Sequence, residues 1–148
     1  MTYKALFRFI TMKQNYIFLP LVIQIGLVFW LYIYLAITKS RAMKAGQVDE
    51  RRRALHDDAW PDSVLQVNNS IRNQFEVPVL FYILVIVLWL TQSLNLAMHI
   101  LAWVFVASRI LHAYIHIGSN YVPMRRRVFM FGGLVLMVMT LYLAYSIM

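Results

Sequence analysis

The chain contains no cysteine. That excludes a disulfide framework, a thiolate metal site and a cysteine nucleophile. Acidic residues are few: six Asp and Glu stand against 14 Lys and Arg, for a net charge of +8. In a soluble protein this balance points to nucleic acid. Here most of the cations lie between apolar runs, so a cytoplasmic-side bias and attraction to anionic headgroups explain them more simply. No nucleic-acid partner is expected. No internal repeat or low-complexity tract is visible. Few intramembrane polar residues are present to line a path, which argues against a transporter or channel. What the chain does have is apolar residues: 61% of its 148 positions, against roughly 45–50% in soluble domains.

The excess falls in runs. Crossing roughly 30 Å of hydrocarbon takes about 20 apolar residues at 1.5 Å each. Four segments meet or approach that length: Tyr16 to Thr38, interrupted only by Pro20 and Gln24; Val77 to Leu90; about Leu96 to Ile117; and Val128 to Met148. The first is too long for the core of a signal peptide and has no small-residue cleavage site after it. The expected fold is all-α, an integral membrane four-helix bundle over residues 16–148, preceded by a basic segment at residues 1–15.

The connections are unequal. The first holds Lys39, Arg41, Lys44, Arg51, Arg52 and Arg53; the second, Thr91 to Asn95, is uncharged; the third holds Arg125, Arg126 and Arg127. Four spans put the first and third connections on one side, with nine cations against the three of the N-terminus, Lys4, Arg8 and Lys13. The positive-inside rule makes that side cytoplasmic and leaves both termini opposite. The basic N-terminus works against this and fits a surface-lying amphipathic segment.

The second span has an unusual entrance, SIRNQFEVPVLF from Ser70 to Phe81. Ser63 and Gln66 are spaced as a capping box, so a helix is expected to start near Ser63. Val64, Val67, Ile71 and Phe75 then form an apolar stripe, with Asn69, Arg72, Asn73 and Glu76 on the opposite face. Pro78 is expected to kink the helix just past Glu76. A bare carboxylate at this depth costs at least ~2.5 kcal/mol, so Glu76 should face the interior and pair with Arg72 one turn earlier. The sequon at Asn68 is a chance match in this helical setting.

In the third span, Arg109, His112 and His116 recur at spacings of three and four and form one stripe, with Ser108 beside it. Two histidines are half a zinc site, and only His56 or Glu76 would add ligands. No metal is expected. An arginine and two histidines suit an anionic, hydrogen-bonding guest better. One arginine of the 125–127 run is expected to turn inward and bind a carboxylate or thiolate. The alternative reading of these residues is structural: polar contacts between helices, and topology signals at a helix mouth. Gly26, Gly132 and Gly133 would permit close helix contact, although none forms a full GxxxG.

Taken together, three features resemble the MAPEG family, the membrane-associated proteins of eicosanoid and glutathione metabolism. They are four spans with a long basic first connection, RNQFE followed by VPVLF opening the second helix, and SRILHAYIHIGSNYVPMRRR at the end of the third. The resemblance covers about residues 16 to 147. It implies a trimer of four-helix protomers with glutathione as co-substrate, held between neighbours near the cytoplasmic side, and a hydrophobic small-molecule second substrate. Carried over by motif, Arg72, Asn73, Glu76, His112 and His116 would bind glutathione, and Arg125 would be the catalytic residue that holds its thiolate. Two positions depart from the family pattern. Asn69 stands where many members have Arg, and Phe129 where several have Tyr. The implied activity is glutathione transfer or peroxide reduction. The alternative is a non-enzymatic membrane protein on the same scaffold that binds a lipid or a protein partner.

Overall fold

The structure, a computed structural model, describes residues 14–148. The amphipathic segment expected at the N-terminus lies outside the described residues. Five helices follow in order: α1 (Phe18–Lys44), α2 (Asp62–Gln74), α3 (Val77–Leu90), α4 (Leu96–Ile117) and α5 (Val122–Ser146), with a single 3-10 turn at Asp57–Ala59 between α1 and α2. Four stretches are long and apolar enough to cross a membrane: α1, α2 and α3 together, α4, and α5. The fold is the expected all-α four-span bundle.

The helix ends obey local chemistry more closely than they obey hydropathy. α1 continues past Thr38 to Lys44, so Lys39, Arg41 and Lys44 are helical and not part of a loop. It stops at Gly46, whose φ is +65°. The Gly46 N–H donates to the Met43 carbonyl and the Gln47 N–H to the Ala42 carbonyl, the paired bonds of a Schellman cap that a glycine makes without steric cost. α2 starts earlier than the capping box implied. Pro61 is its N-cap and accepts from the Val64 and Leu65 amides. Ser63 is already inside the helix and caps nothing. The reason is the fixed φ of Pro61, −66°, which sets the chain up to enter the helix at Asp62.

Between α2 and α3 the second span breaks outright. Phe75 and Glu76 leave helical geometry, and α3 restarts at Val77 with Pro78 in its first turn. Proline has no N–H to give the preceding turn, and its ring crowds the carbonyl four residues back, here Gln74. The break corrects the expected stripe. Val64, Val67 and Ile71 are buried, but Phe75 is 57% exposed because it sits past the end of α2. At the start of α4, Asn95 caps the helix by accepting from the Met98 amide at 3.0 Å.

α4 is the central helix. Half of its span is buried within the protomer, against 17% for α1. Two apolar clusters flank a polar layer. Phe81, Leu84, Val85, Leu88, Phe105 and Met139 belong to one, uniting α3, α4 and α5. Leu31, Leu35, Val64, Val67, Ile71 and Ala113 belong to the other, uniting α1, α2 and the far end of α4. Along α4, Val106 belongs to the first and Ala113 to the second; Arg109 and His112 lie between. Gly132 sets the α4–α5 distance, since a Cβ there would lie 2.9 Å from Ser108 Oγ. Gly26 and Gly133 meet nothing within 4 Å in the protomer.

Candidate functional site

The break in the second span delivers the end of α2 to the polar stripe of α4. Arg109, His112 and His116 are 0%, 2% and 3% exposed. Their spacing puts all three on the face that α4 turns toward α2 and α5. Arg109 Nη2 donates to the Asn73 carbonyl at 3.3 Å. That carbonyl belongs to the last turn of α2, where the end of the helix limits its helical partners. The guanidinium also lies over the Phe129 ring, 5.4 Å from its centroid. Its Nε and Nη1 are buried with no hydrogen-bond partner.

α5 supplies the second cation. The helix begins at Val122, with Pro123 in its first turn, so Arg125, Arg126 and Arg127 lie on its opening turns and not in the connection. Arg125 Nη1 donates to His116 Nε2 at 3.1 Å and to Asn120 Oδ1. Asn120 reaches that position through a left-handed backbone, φ 51°. Asn73 Nδ2 lies 3.5 Å from the same His116 nitrogen and 2.8 Å from the Asn69 carbonyl. His116 Nε2 thus faces an obligate donor, which makes it the acceptor and leaves the ring proton on Nδ1. His112 meets His116 edge-on at 5.7 Å and packs on Phe129 at the same centroid distance. A cleft of about 240 Å³ opens among Asn73, His112, Val122, Arg125, Arg126 and Phe129.

Four of the six residues singled out by sequence therefore converge: Asn73, His112, His116 and Arg125. Two do not. Arg72 turns away and pairs with Asp57, with a hydrogen bond from its other nitrogen to Asn69 Oδ1 at 3.5 Å. The expected Arg72–Glu76 pair does not form, because the helical spacing it relied on ends at Gln74. Glu76 is exposed at the N-cap of α3 and belongs to none of the three ion pairs among the described residues. Arg109 carries more of the site than its place in a stripe indicated, and Asn120 was not foreseen. The signal for Arg109 was a charge in mid-span. For Asn120 there was only a turn-forming residue two positions after Gly118.

Other charges hold the first connection together. Arg52 donates to Asp58 at 2.7 Å, and Arg53 pairs with Glu50 at 2.8 Å. The hydrogen bond from Arg52 holds the Asp58 carboxyl below the usual carboxylate range. Lys39 sits 4.7 Å over the Trp60 ring. Among the described residues no group of three His, Cys, Asp or Glu is placed to hold a metal ion.

Chemically, the site gathers two arginines, two histidines and an asparagine; Arg109 and both histidines are buried, and Arg125 and Asn73 are half-buried. No carboxylate is paired with either arginine. Such a set has the chemistry to bind an anion and to stabilise developing negative charge. Compared with known proteins, residues 17–145 match the model of the MAPEG family. No curated protein and no solved structure matches the chain.

Proposed function

Since the chain belongs to the MAPEG family, we propose that its cationic cleft binds glutathione and promotes attack of the thiolate on a hydrophobic electrophile drawn from the bilayer. The observation that carries this reading is the arginine pair. Arg109 brings a fixed charge into the middle of a span, where a lone charge costs at least ~2.5 kcal/mol; half-buried Arg125 brings a second to its edge, and neither is in an ion pair with a carboxylate among the described residues. Arg109 keeps two buried nitrogens without a hydrogen-bond partner. An anionic guest removes that penalty. A tripeptide with two carboxylates and an ionisable thiol is one.

The roles follow from position. Arg125, at the cleft and fixed by Asn120 and His116, lies where a cation favours the charged form of a bound thiol and so lowers its pKa. The thiolate sulfur then bonds to the electrophilic carbon, and the departing group or opened ring takes up the electron pair. Asn73, His112 and His116 orient the peptide. Arg72 and Glu76 join from the rim when protomers assemble as a trimer, with the first and third connections cytoplasmic and residues 1–15 a separate basic segment.

The test mixes purified protein in detergent with glutathione and follows thiolate absorbance in the ultraviolet. We expect a saturable signal at neutral pH that is lost in Arg125→Ala. Absence of signal in both proteins would overturn the reading. One observation favours a second reading, a non-enzymatic protein on this scaffold. Phe129 covers Arg109 and His112 with an apolar ring where a hydroxyl would serve a thiol or an oxyanion. On that reading the cluster joins helices, and Arg125→Ala leaves any phenotype unchanged.

A further inference from the structure

The three arginines that open α5 do not share a destination. Arg125 and Arg126 line the cleft described above. Arg127 stands about 200° around the helix from Arg125, at the mouth of a separate recess of about 480 Å³ between α4 and α5. Val104, Leu111, Val128 and Phe131 wall it, and Ala107 and Ser108 form its floor. The recess has a packing cause. Gly132 lets α5 press against Ser108, while Ala107, next along α4, fills little of the space left outside that contact. Ser108 Oγ donates to the Phe105 carbonyl at 2.6 Å, so the floor offers no free hydroxyl proton. Ala107, Leu111 and Phe131 are exposed, and the recess therefore opens toward lipid.

Arg127 is also exposed, and it takes part in none of the three ion pairs among the described residues. It lies about 7.5 Å along α5 from Val122, above an almost wholly apolar trough. We propose that this recess holds an anionic phospholipid of the surrounding bilayer, its phosphate on Arg127 and one acyl chain along Ala107 toward Val104. The trough selects hydrocarbon because its lining below Arg127 is apolar except for Ser108, whose proton is already given to the Phe105 carbonyl. The arginine selects the sign of the headgroup and can meet two phosphate oxygens at once. Basic recesses between membrane helices take anionic headgroups on these grounds. The inference stands apart from the glutathione reading, since neither Arg127 nor Ala107 borders that cleft.

The protein in nanodiscs of equal phosphatidylglycerol and phosphatidylcholine, with identical acyl chains, tests it by native mass spectrometry. Wild type is expected to retain phosphatidylglycerol about fivefold over phosphatidylcholine, the preference that one cation near the headgroups supplies. Arg127→Gln should bring that ratio close to one, while Arg41→Gln, at the end of α1, should leave it in place. Ala107→Phe should release one retained lipid with an unchanged melting curve. An equal ratio in wild type overturns the proposal. So does an equal loss in Arg127→Gln and Arg41→Gln, because general surface charge would then account for the preference. Should Ala107→Phe fail to fold, Ala107→Cys decides, as the sole thiol in the chain. A lipid-exposed spin label there supports the site, and spontaneous disulfide-linked dimers would make the recess a subunit contact instead.

Discussion

Arg109 is fully buried, yet only one of its nitrogens is hydrogen-bonded, to the Asn73 carbonyl. Desolvating an ion costs several kcal/mol even after relaxation, and a ring face with one carbonyl returns only part of that. A residue held at such a cost is expected to serve binding more than stability. Arg109→Met should therefore raise the melting temperature, by an amount equivalent to about 1–4 kcal/mol, while weakening glutathione binding at least about tenfold. Calorimetry and ligand titration on the same sample check both parts; a fall in melting temperature would mean that the arginine is satisfied where it is. At this scale the sequence exposed the α4 stripe, because a spacing of three and four fixes a helix face whatever surrounds it. It did not expose the partner of Arg72. Asp57 lies 15 residues earlier on a turn, and no periodicity links a loop to a helix face.

The elements show two kinds of boundary. Hydropathy marks where lipid begins, and backbone chemistry marks where a helix ends. They coincide for α4 and disagree for α1 and α5, where charged turns extend the helices past their apolar runs. Gly46, Pro61 and Pro78 each give a boundary for a local reason. Gly132 and Gly133 were indistinguishable in sequence, but they face different ways. Gly132→Ala places a methyl within 2.9 Å of Ser108 Oγ and should destabilise the α4–α5 contact by about 1–3 kcal/mol. Gly133→Ala meets nothing and should gain up to about 1 kcal/mol from helix propensity. Denaturation of the two variants in the same detergent measures the difference. Equal effects would mean that the α4–α5 contact is not set at this level.

At the scale of the whole molecule, the protomer is thin. Only 17% of the α1 span and 22% of the α5 span are buried within it. Lipid covers apolar faces without penalty, but it does not cover Glu76, which lies exposed at the mouth of the second span with Phe75 beside it. A carboxylate left unpaired there carries a cost that grows with its depth in the membrane. Neighbouring protomers can supply the missing partner, and light scattering of the detergent-solubilised protein should give three chains per particle. A monomer would remove the trimer from the proposed function and leave Glu76 without an account.

The four spans, the α4 stripe and a departure from straight helix before Pro78 were legible in the sequence alone; that the departure is a full break at Phe75 and Glu76 was not. Each of the three legible features rests on a local quantity: the length of an apolar run, the angular period of a helix, or a missing N–H. The tertiary structure decided which charges meet. It sent Arg125 into the cleft and Arg127 out to lipid, gave Arg72 to Asp57, and set Phe129 over Arg109. Those outcomes depend on the rotation of one helix against another. That rotation is fixed by distant packing at Gly132, Ser108 and the two apolar clusters, and no stretch of chain encodes it by itself.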